Sequence, residues 1–404
     1  MLLVVDSLRA DAVHEPVPAT PVLDALADEG AVFRQCVATA TSTTPSFASM
    51  LTGCYLPKHG IRALRGHTLS RSIETTMPEA FRAAGYTTAA EVTGPLVEET
   101  GVFRGFDRVH HRRGHDARFL DWVGDVTARI RALPQPWFVL LHVWEAHRPY
   151  RPPPAYAKTY ARQGYEAAVA ALDAGLEPVL SLAGDGGTTI VTGDHGEVYA
   201  ETWVGDRLAA AAREGRRRLR VGRWAPGLER KLAARAVGHG FTLDEELVRV
   251  PLILAGPDVP HRTIEEQVRH VDLFPTLGEL LSLDVPEGVD GRSLVPALEG
   301  ASLPLEPAYM ECSNVAGGHL ISGVRTPAWK LLVDWRRTPR LYALDGVRPD
   351  ERHDLAGRHP DVVRELQAYM EAALAGGDAA ATAEPLTEEE EAVVERHLKD
   401  LGYL

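Results

Sequence analysis

Cysteine is scarce. Three residues in 404, Cys36, Cys54 and Cys312, are too few and too widely spaced to form a disulfide framework or a metal-ligand spacing. That fits a reducing compartment. No apolar run is long enough to span a bilayer, and the opening MLLVVDSLRAD lacks the basic region and cleavage site of a secretory leader. The expectation is a cytoplasmic protein with no membrane partner. Positive charge is in deficit, 43 Lys and Arg against 56 Asp and Glu for a net charge of −13. This argues against a nucleic-acid partner while leaving room for a locally positive site. No internal repeat is visible. What remains, 45% hydrophobic and 25% charged residues, is the composition of an ordinary globular chain, long enough to bury a large core.

The stretch 41–62, TSTTPSFASMLTGCYLPKHGIR, organises the rest. Pro45 suits a first helical position, and residues 46–51 make a short helix that stops at Gly53. Thr43 at its start reads either as an ordinary cap or as a hydroxyl at the positive end of a helix, where an oxyanion can be held.

Apolar runs at 2–5, 137–141 and 188–191 predict buried strands of a parallel sheet. Each delivers ionisable residues at its C-terminal end: Asp6; then His142, Glu145 and His147; then Asp194 and His195. Helices predicted over 21–30, 77–85, 119–133 and 165–182 alternate with them, and strands at 86–92 and 250–254 and a helix at 273–281 extend the pattern. This is a doubly wound α/β sheet with its site at the strand ends, where Asp6, His147 and Asp194 converge. Beyond residue 300, segments 320–324, 329–334 and 341–343 and a helix over 360–374 predict a small antiparallel sheet with a helix. The division expected is a catalytic domain over 1–300 with an insertion at 201–238, a small α+β unit over 301–374, and a linker with a charged C-terminal helix over 375–404.

Asp194-His195-Gly196 lies where a strand becomes a loop, and Gly193 and Gly196 are expected to permit the turn. With Asp6 the pair offers two carboxylates and an imidazole, a set suited to Zn²⁺ or Mn²⁺, with Ca²⁺ or Mg²⁺ as alternatives and the Thr43 hydroxyl as a further ligand. A cation there eases loss of the hydroxyl proton and turns Thr43 from a cap into a nucleophile. His147 and His239 read either as satisfied polar residues or as donors to substrate oxygens or the leaving group. Glu145, His147 and His239 form an alternative second-metal set, which is short of ligands for a two-metal site.

Several segments in order, VVDSLRAD, TTPSFASMLTGCYLPKHGIR, LHVWEAHRPYRPP, TGDHGE, HGFTLDEELVRVPLIL, HVDLFPTLGELLSLDVPEGVDGRSL and LYALDGVRPDERHDLAGRHP, make the chain resemble the sulfatase-like branch of the alkaline phosphatase superfamily from residue 1 to about 374. The resemblance implies an alkaline-phosphatase-like α/β fold, with a mostly parallel central sheet between helices. It also implies a divalent metal on Asp6, Asp194 and His195, a nucleophile in the Thr43 segment, and oxyanion contacts from His147 and His239. True sulfatases oxidise a Cys or Ser of a Cys-x-Pro-x-Arg segment to formylglycine; here Thr43 and Phe47 stand at the first and last of those positions, so no formylglycine is expected. Ser7 stands where a second aspartate is usual, and the family's Lys-x-His element is not visible. Relatives with a threonine nucleophile include phosphodiesterases, phosphonate monoester hydrolases and phosphoglycerol transferases. The function implied is a metal-dependent hydrolase or transferase of phosphate esters through a covalent threonine. The alternatives are a sulfatase or sulfamidase without formylglycine, and an inactive relative that binds an anion. A small anionic ester is the expected partner, with self-association as a further option. The arginine-rich stretch 207–235 reads as a solvated face, an anion-collecting lid or a subunit contact.

Overall fold

The run Leu2–Val5 has no polar face, so it can only lie in the middle of a layered core. Leu2 and Val4 join a cluster with Phe33, Phe47 and Phe138, while Leu3 and Val5 join a second with Phe119, Trp122 and Val126. In the computed structural model, described over residues 1–14, 19–112, 118–160, 164–184, 186–199, 208, 211–212, 215, 238–313, 319–334, 337–345, 351–377, 386–401 and 403, this run is strand β1 (Leu2–Val5) of an eight-stranded sheet.

The other strands of that sheet are β2 (Ala31–Val37), β3 (Thr87–Val92), β4 (Arg108–His111), β5 (Trp137–Val143), β6 (Thr189–Gly193), β7 (Arg249–Ala255) and β8 (Arg262–Arg269), in the order β4-β3-β5-β1-β6-β7-β2-β8. All run parallel except β7, which is antiparallel to both β6 and β2. Helices α1 (Pro21–Glu29), α2 (Thr43–Thr52), α3 (Met77–Ala83), α4 (Phe119–Arg131), α5 (Gly164–Asp173) and α6 (Leu273–Leu281) cover both faces. α2, α3 and α6 bury apolar side chains with Leu2 and Val4; α1, α4 and α5 bury theirs with Leu3 and Val5. The architecture is the expected α/β one, helices on either side of a mostly parallel sheet.

A second sheet, β9 (Ala308–Ser313), β10 (His319–Arg325), β11 (Trp329–Asp334) and β12 (Pro339–Ala343), is antiparallel in the order β12-β11-β10-β9. Met310, Cys312 and Leu332 pack against Val37, Leu243 and Val248. Tyr309, Val324 and Leu331 pack against Val363, Leu366 and Met370 of α7 (Pro360–Ala375). Helix α8 (Glu388–Asp400) follows. No helix among the described residues is long and apolar enough to cross a membrane.

Some elements differ from expectation. The helix predicted over 165–182 ends at Asp173, because the Asp173 carboxylate accepts from the amides of Val22 (3.0 Å) and Leu23 (2.9 Å) at the start of α1, and Gly175 turns beneath Leu120 where a Cβ would lie 2.7 Å from Cδ2. Short helical turns at Glu177–Leu180 and Ser181–Ala183 replace its second half. Strands β2, β4, β8 and β9 lacked a sequence signal. β8 carries charge at Arg262, Glu265, Glu266 and Arg269 because it is an edge strand, and β2 loses its period where its pairing shifts register after Phe33. The arginine-rich stretch lies outside the described residues except at 208, 211, 212 and 215, as do residues 378–385 of the expected linker.

The two sheets are joined by a buried ionic group. Arg325 donates through Nε and Nη2 to the two oxygens of Glu245, each at 2.9 Å. Lys330 Nζ donates to Glu245 (3.2 Å) and to the Leu243 carbonyl (2.8 Å), and it also pairs with Glu351. Burial pushes the Glu245 carboxyl up, but Lys330 and Arg325 outweigh it and hold it down at about 2, against 4.5 ordinarily. A depressed carboxyl contributes stability above its unfolded value and loses it as pH falls through the folded one. Glu245→Ala is therefore expected to cost about 3–5 kcal/mol in urea unfolding at neutral pH, since it leaves two cations buried. It should also remove the share of stability that the wild type loses between pH 4.5 and 2. A variant as stable as the wild type would show the group to be dispensable.

Candidate active site

Register brings the first carboxylates together. Val5 of β1 lies opposite Gly193 of β6 and Val143 of β5, so Asp6 and Asp194 leave adjacent parallel strands side by side. His142 pairs with Val4 and shares the face on which Asp6 lies two residues on. Ser7 then takes the left-handed conformation (φ 63°), uncommon for a residue with a side chain. The turn aims its amide at Asp194 Oδ1 (3.0 Å) and its hydroxyl at Asp6 Oδ1 (2.9 Å). Gly193 and Gly196 do not need left-handed backbone. They are needed for close approach: a Cβ would sit 2.5 Å from the Leu8 carbonyl oxygen at Gly193 and 1.9 Å from that of Glu246 at Gly196.

Helix α2, buried along its whole length, begins against these carboxylates. Ser42 is its cap residue and Thr43 its first helical residue, and the Thr43 hydroxyl donates to Asp6 Oδ2 at 3.3 Å. Thr43 is thus no ordinary cap. One turn on, Ser46 donates to the Asp194 carbonyl at 2.6 Å and ties the helix to the end of β6.

The imidazoles face inward with lone pairs. His195 Nδ1 lies 2.9 Å from the Gly196 carbonyl, which can only accept, so the proton of the neutral ring sits on Nδ1 and the lone pair on Nε2. That Nε2 is 3.4 Å from Asp194 Oδ2 and 3.9 Å from Asp6 Oδ1. His142 repeats the arrangement, with Nδ1 3.0 Å from the Thr93 carbonyl and Nε2 3.5 Å from Asp6 Oδ2. His195 Nε2, His142 Nε2 and Asp194 Oδ2 are buried and have no hydrogen-bond partner. Lone pairs left facing one another out of water are costly unless a cation lies among them. Ligand atoms of Asp6, Asp194 and His195 all lie within 4.8 Å of one another, and these donors fit a divalent metal ion.

Electrostatics point the same way. Burial raises Asp194 well above the usual carboxylate range, and the charge of Asp6 adds to the effect. Burial also opposes ionisation of Asp6, but His147, His142 and His195 outweigh it and hold Asp6 below that range. Two buried carboxylates this close cannot both ionise without positive charge between them.

His239 lies over this group, its ring centroid 4.3 Å from that of His195 and 4.8 Å from that of His147. Its Nδ1 is 3.4 Å from Oε2 of Glu197, whose buried carboxyl is pushed up to about 7 by desolvation and has neither oxygen hydrogen-bonded. His147 is half-buried. The protein around it pushes its imidazole down to about 4, with Asp6 pulling the other way. Its Nδ1 contacts the Arg148 carbonyl, so Nε2 carries the lone pair and accepts from the Tyr403 hydroxyl at 2.8 Å. A cavity lined by Phe119, Trp144, His147, Arg148, Arg151 and Leu172 opens beside it. Glu145 does not join the two histidines: its Oε1 accepts from Arg112 Nη1 (2.8 Å) and the Phe119 amide (2.6 Å). Among the described residues Glu145, His147 and His239, the expected second-metal set, do not form a group that could hold a metal ion.

Comparison with known proteins agrees with this geometry. A family model described as Sulfatase matches residues 1–283. The chain belongs to the sulfatase family. The uncharacterized sulfatase YidJ of Escherichia coli (strain K12) is 23% identical over 398 residues, covering 83% of this chain and 78% of that protein. Among solved structures, the phosphonate monoester hydrolase SpPMH from Silicibacter pomeroyi superposes with a TM-score of 0.69 at 18% identity, covering 95% of this chain and 98% of that one. BT4656, solved in complex with its substrate D-glucosamine-2-N,6-O-disulfate, superposes at 0.72 and 16% identity, covering 93% and 97%. These structural likenesses establish the fold. The protein is a sulfatase-family hydrolase, and its relatives include enzymes of both phosphonate and sulfate esters.

Asp6, Thr43, Asp194, His195, His147 and His239, singled out from the sequence, lie together in this sulfatase-family site. His142 was named only as a strand-end residue with no role, and Glu197 and Tyr403 were not singled out. His142 and Glu197 stand inside motifs already noted, whereas nothing in the sequence near Tyr403 links it to the site. Chelator-stripped protein is expected to gain about 2.7 kcal/mol of stability when Mn²⁺ or Zn²⁺ is added at about 100 times its Kd. Asp194→Ala should abolish that gain, and His142→Gln should weaken metal affinity by about 10–100-fold, both read by thermal melts and elemental analysis. An Asp194→Ala protein that keeps full metal content would refute the ligand set.

Proposed function

We propose that this protein is a metal-dependent hydrolase or transferase of phosphate esters, of the phosphodiester or phosphonate monoester type, acting through a covalent Thr43 intermediate. The observation that carries the reading is the Thr43 hydroxyl itself. It stands at the start of a buried helix, hydrogen-bonded to Asp6, and by the sequence resemblance it corresponds to the residue that sulfatases convert to formylglycine. Threonine cannot be converted in that way.

A divalent cation on Asp6, Asp194 and His195, for which Zn²⁺ or Mn²⁺ is the best match to mixed oxygen and nitrogen donors, supplies the charge that eases ionisation of the Thr43 hydroxyl and neutralises the oxygens of the transferred group. The chain's own residues do the rest. Thr43 Oγ1 attacks phosphorus, and the bond from phosphorus to the leaving oxygen breaks. His239, whose Nδ1 faces the Glu197 carboxyl, is suited to hold a proton and deliver it to that oxygen. His147 Nε2, with a lone pair and a depressed pKa, is suited to take the proton of the water or alcohol that then attacks phosphorus and releases Thr43. α2 offers the free amides of its first turn to the developing charge.

This chemistry favours phosphate. The hydrated aldehyde of a formylglycine sulfatase keeps a second hydroxyl that expels sulfate by elimination, whereas Thr43 has one hydroxyl and its adduct must be cleared by direct attack. A phosphoryl group carries more negative charge on its oxygens and gains more from nearby positive charge. Matched aryl phosphate, phosphonate and sulfate esters are expected to give multiple turnovers on the phosphorus esters only, with a sulfated Thr43 trapped and visible by intact mass. Thr43→Ala should lose at least about 10³-fold in kcat. Sulfate turnover at or above the phosphate rate would instead establish a sulfatase that dispenses with formylglycine. No turnover of any ester by metal-loaded protein would establish an anion-binding relative.

A further inference from the structure

Helix α8 reaches back across the molecule. Thr387 caps it with a reciprocal bond to Glu390, so it is a helix with its own start signal. One stripe is apolar: Val394 and Leu398 are buried against Leu64 and Val97, with Leu386 and Tyr403 packed beside them. His397 Nε2 lies 2.8 Å from the Gly94 carbonyl, and its ring meets that of His111 edge-on at 5.0 Å. Arg65 pairs with Glu391 and Glu395. Gly94 also borders the site: a Cβ there would lie 3.5 Å from His142 Cε1 and 3.8 Å from Asp6 Oδ2. The seat of α8 is therefore continuous with the catalytic floor.

Tyr403 completes the reach. Its ring centroid is 5.8 Å from that of His147, and its hydroxyl donates to His147 Nε2 at 2.8 Å. Because Nδ1 is committed to the Arg148 carbonyl, Nε2 is the one nitrogen of His147 that can meet a substrate oxygen, and an oxygen already sits there. We propose that Tyr403 and α8 form the outer wall of the substrate site, the phenol oxygen holding the place of an ester or acceptor oxygen at His147, and that this wall limits the size of the organic group the site admits. Tyr403 is thus a specificity-determining residue. The inference rests on the reading of His147 as substrate-facing.

Two readouts separate this inference from the reaction assigned above. The first needs no turnover. Diethyl pyrocarbonate acylates the unprotonated imidazole nitrogen, and peptide mass mapping gives the rate at His147 relative to the exposed His261. Tyr403→Phe, which keeps the ring and removes the hydroxyl, and Tyr403→Ala should both raise that relative rate at least threefold over the wild type. The second readout uses 4-nitrophenyl methylphosphonate and 4-nitrophenyl phenylphosphonate, which share a leaving group. Tyr403→Ala should shift the ratio of kcat/KM, phenyl over methyl, at least fivefold towards the phenyl ester. Equal His147 labelling in all three proteins overturns the wall, whether or not any ester is turned over. Raised labelling with an unchanged ratio overturns its part in substrate choice. Failure of both phosphonates in the wild type counts against the reaction assigned above and leaves the labelling to decide.

Discussion

Two buried carboxylates face each other, and much else in this molecule answers to that. Asp6 and Asp194 are both buried and emerge from neighbouring parallel strands whose register leaves them no room to turn apart. The surroundings supply every form of relief the chain can offer: the Ser7 and His195 amides and the Ser7 hydroxyl donate to their oxygens, and the imidazoles around them turn lone pairs inward. The position is one where removing a cation should cost more than any single side chain.

Much of this was readable from the sequence because the physics there is local. A four-residue run with no polar face followed by Asp6, and another ending in Asp194-His195, each state a buried strand and its site end without reference to the rest of the chain. The body and the stop of α2 were readable in the same way, from Pro45 to Gly53, although the helix begins two residues earlier, at Thr43. Local reading did not reach the strands whose character comes from their neighbours: β8 is charged because it lies at an edge, and β2 breaks its alternation because its two partners hold it in shifted register. The same limit hid His142. In sequence it is the last polar residue of an apolar strand, and only pairing with Val4 sets it over Asp6. Tyr403 lay furthest from any local signal, since the contact that ties it to the site is with His147, 256 positions away.

The small antiparallel sheet is held to the large one by charge as well as by apolar contact. Glu245 belongs to the segment that follows His239 and leads into β7, while Arg325 and Lys330 belong to β10 and β11. The loop carrying His239 is therefore anchored on its far side by cations of the second sheet. Among the described residues that sheet contributes none of the grouped ligand atoms, yet it holds the segment from which His239 reaches over them.

The central placement of β1 bears on how the molecule is made. Leu2 pairs with Leu140 on one side and Ile190 on the other, so on a ribosome this strand has no neighbour in that pair until β5 has emerged and is not flanked on both sides until β6 has. Until then an uncovered apolar segment ending in an acid must be kept from pairing with anything else, a condition that slows folding and exposes the chain to aggregation. The wait of β1 for its neighbours is thus a consequence of where Asp6 has to be.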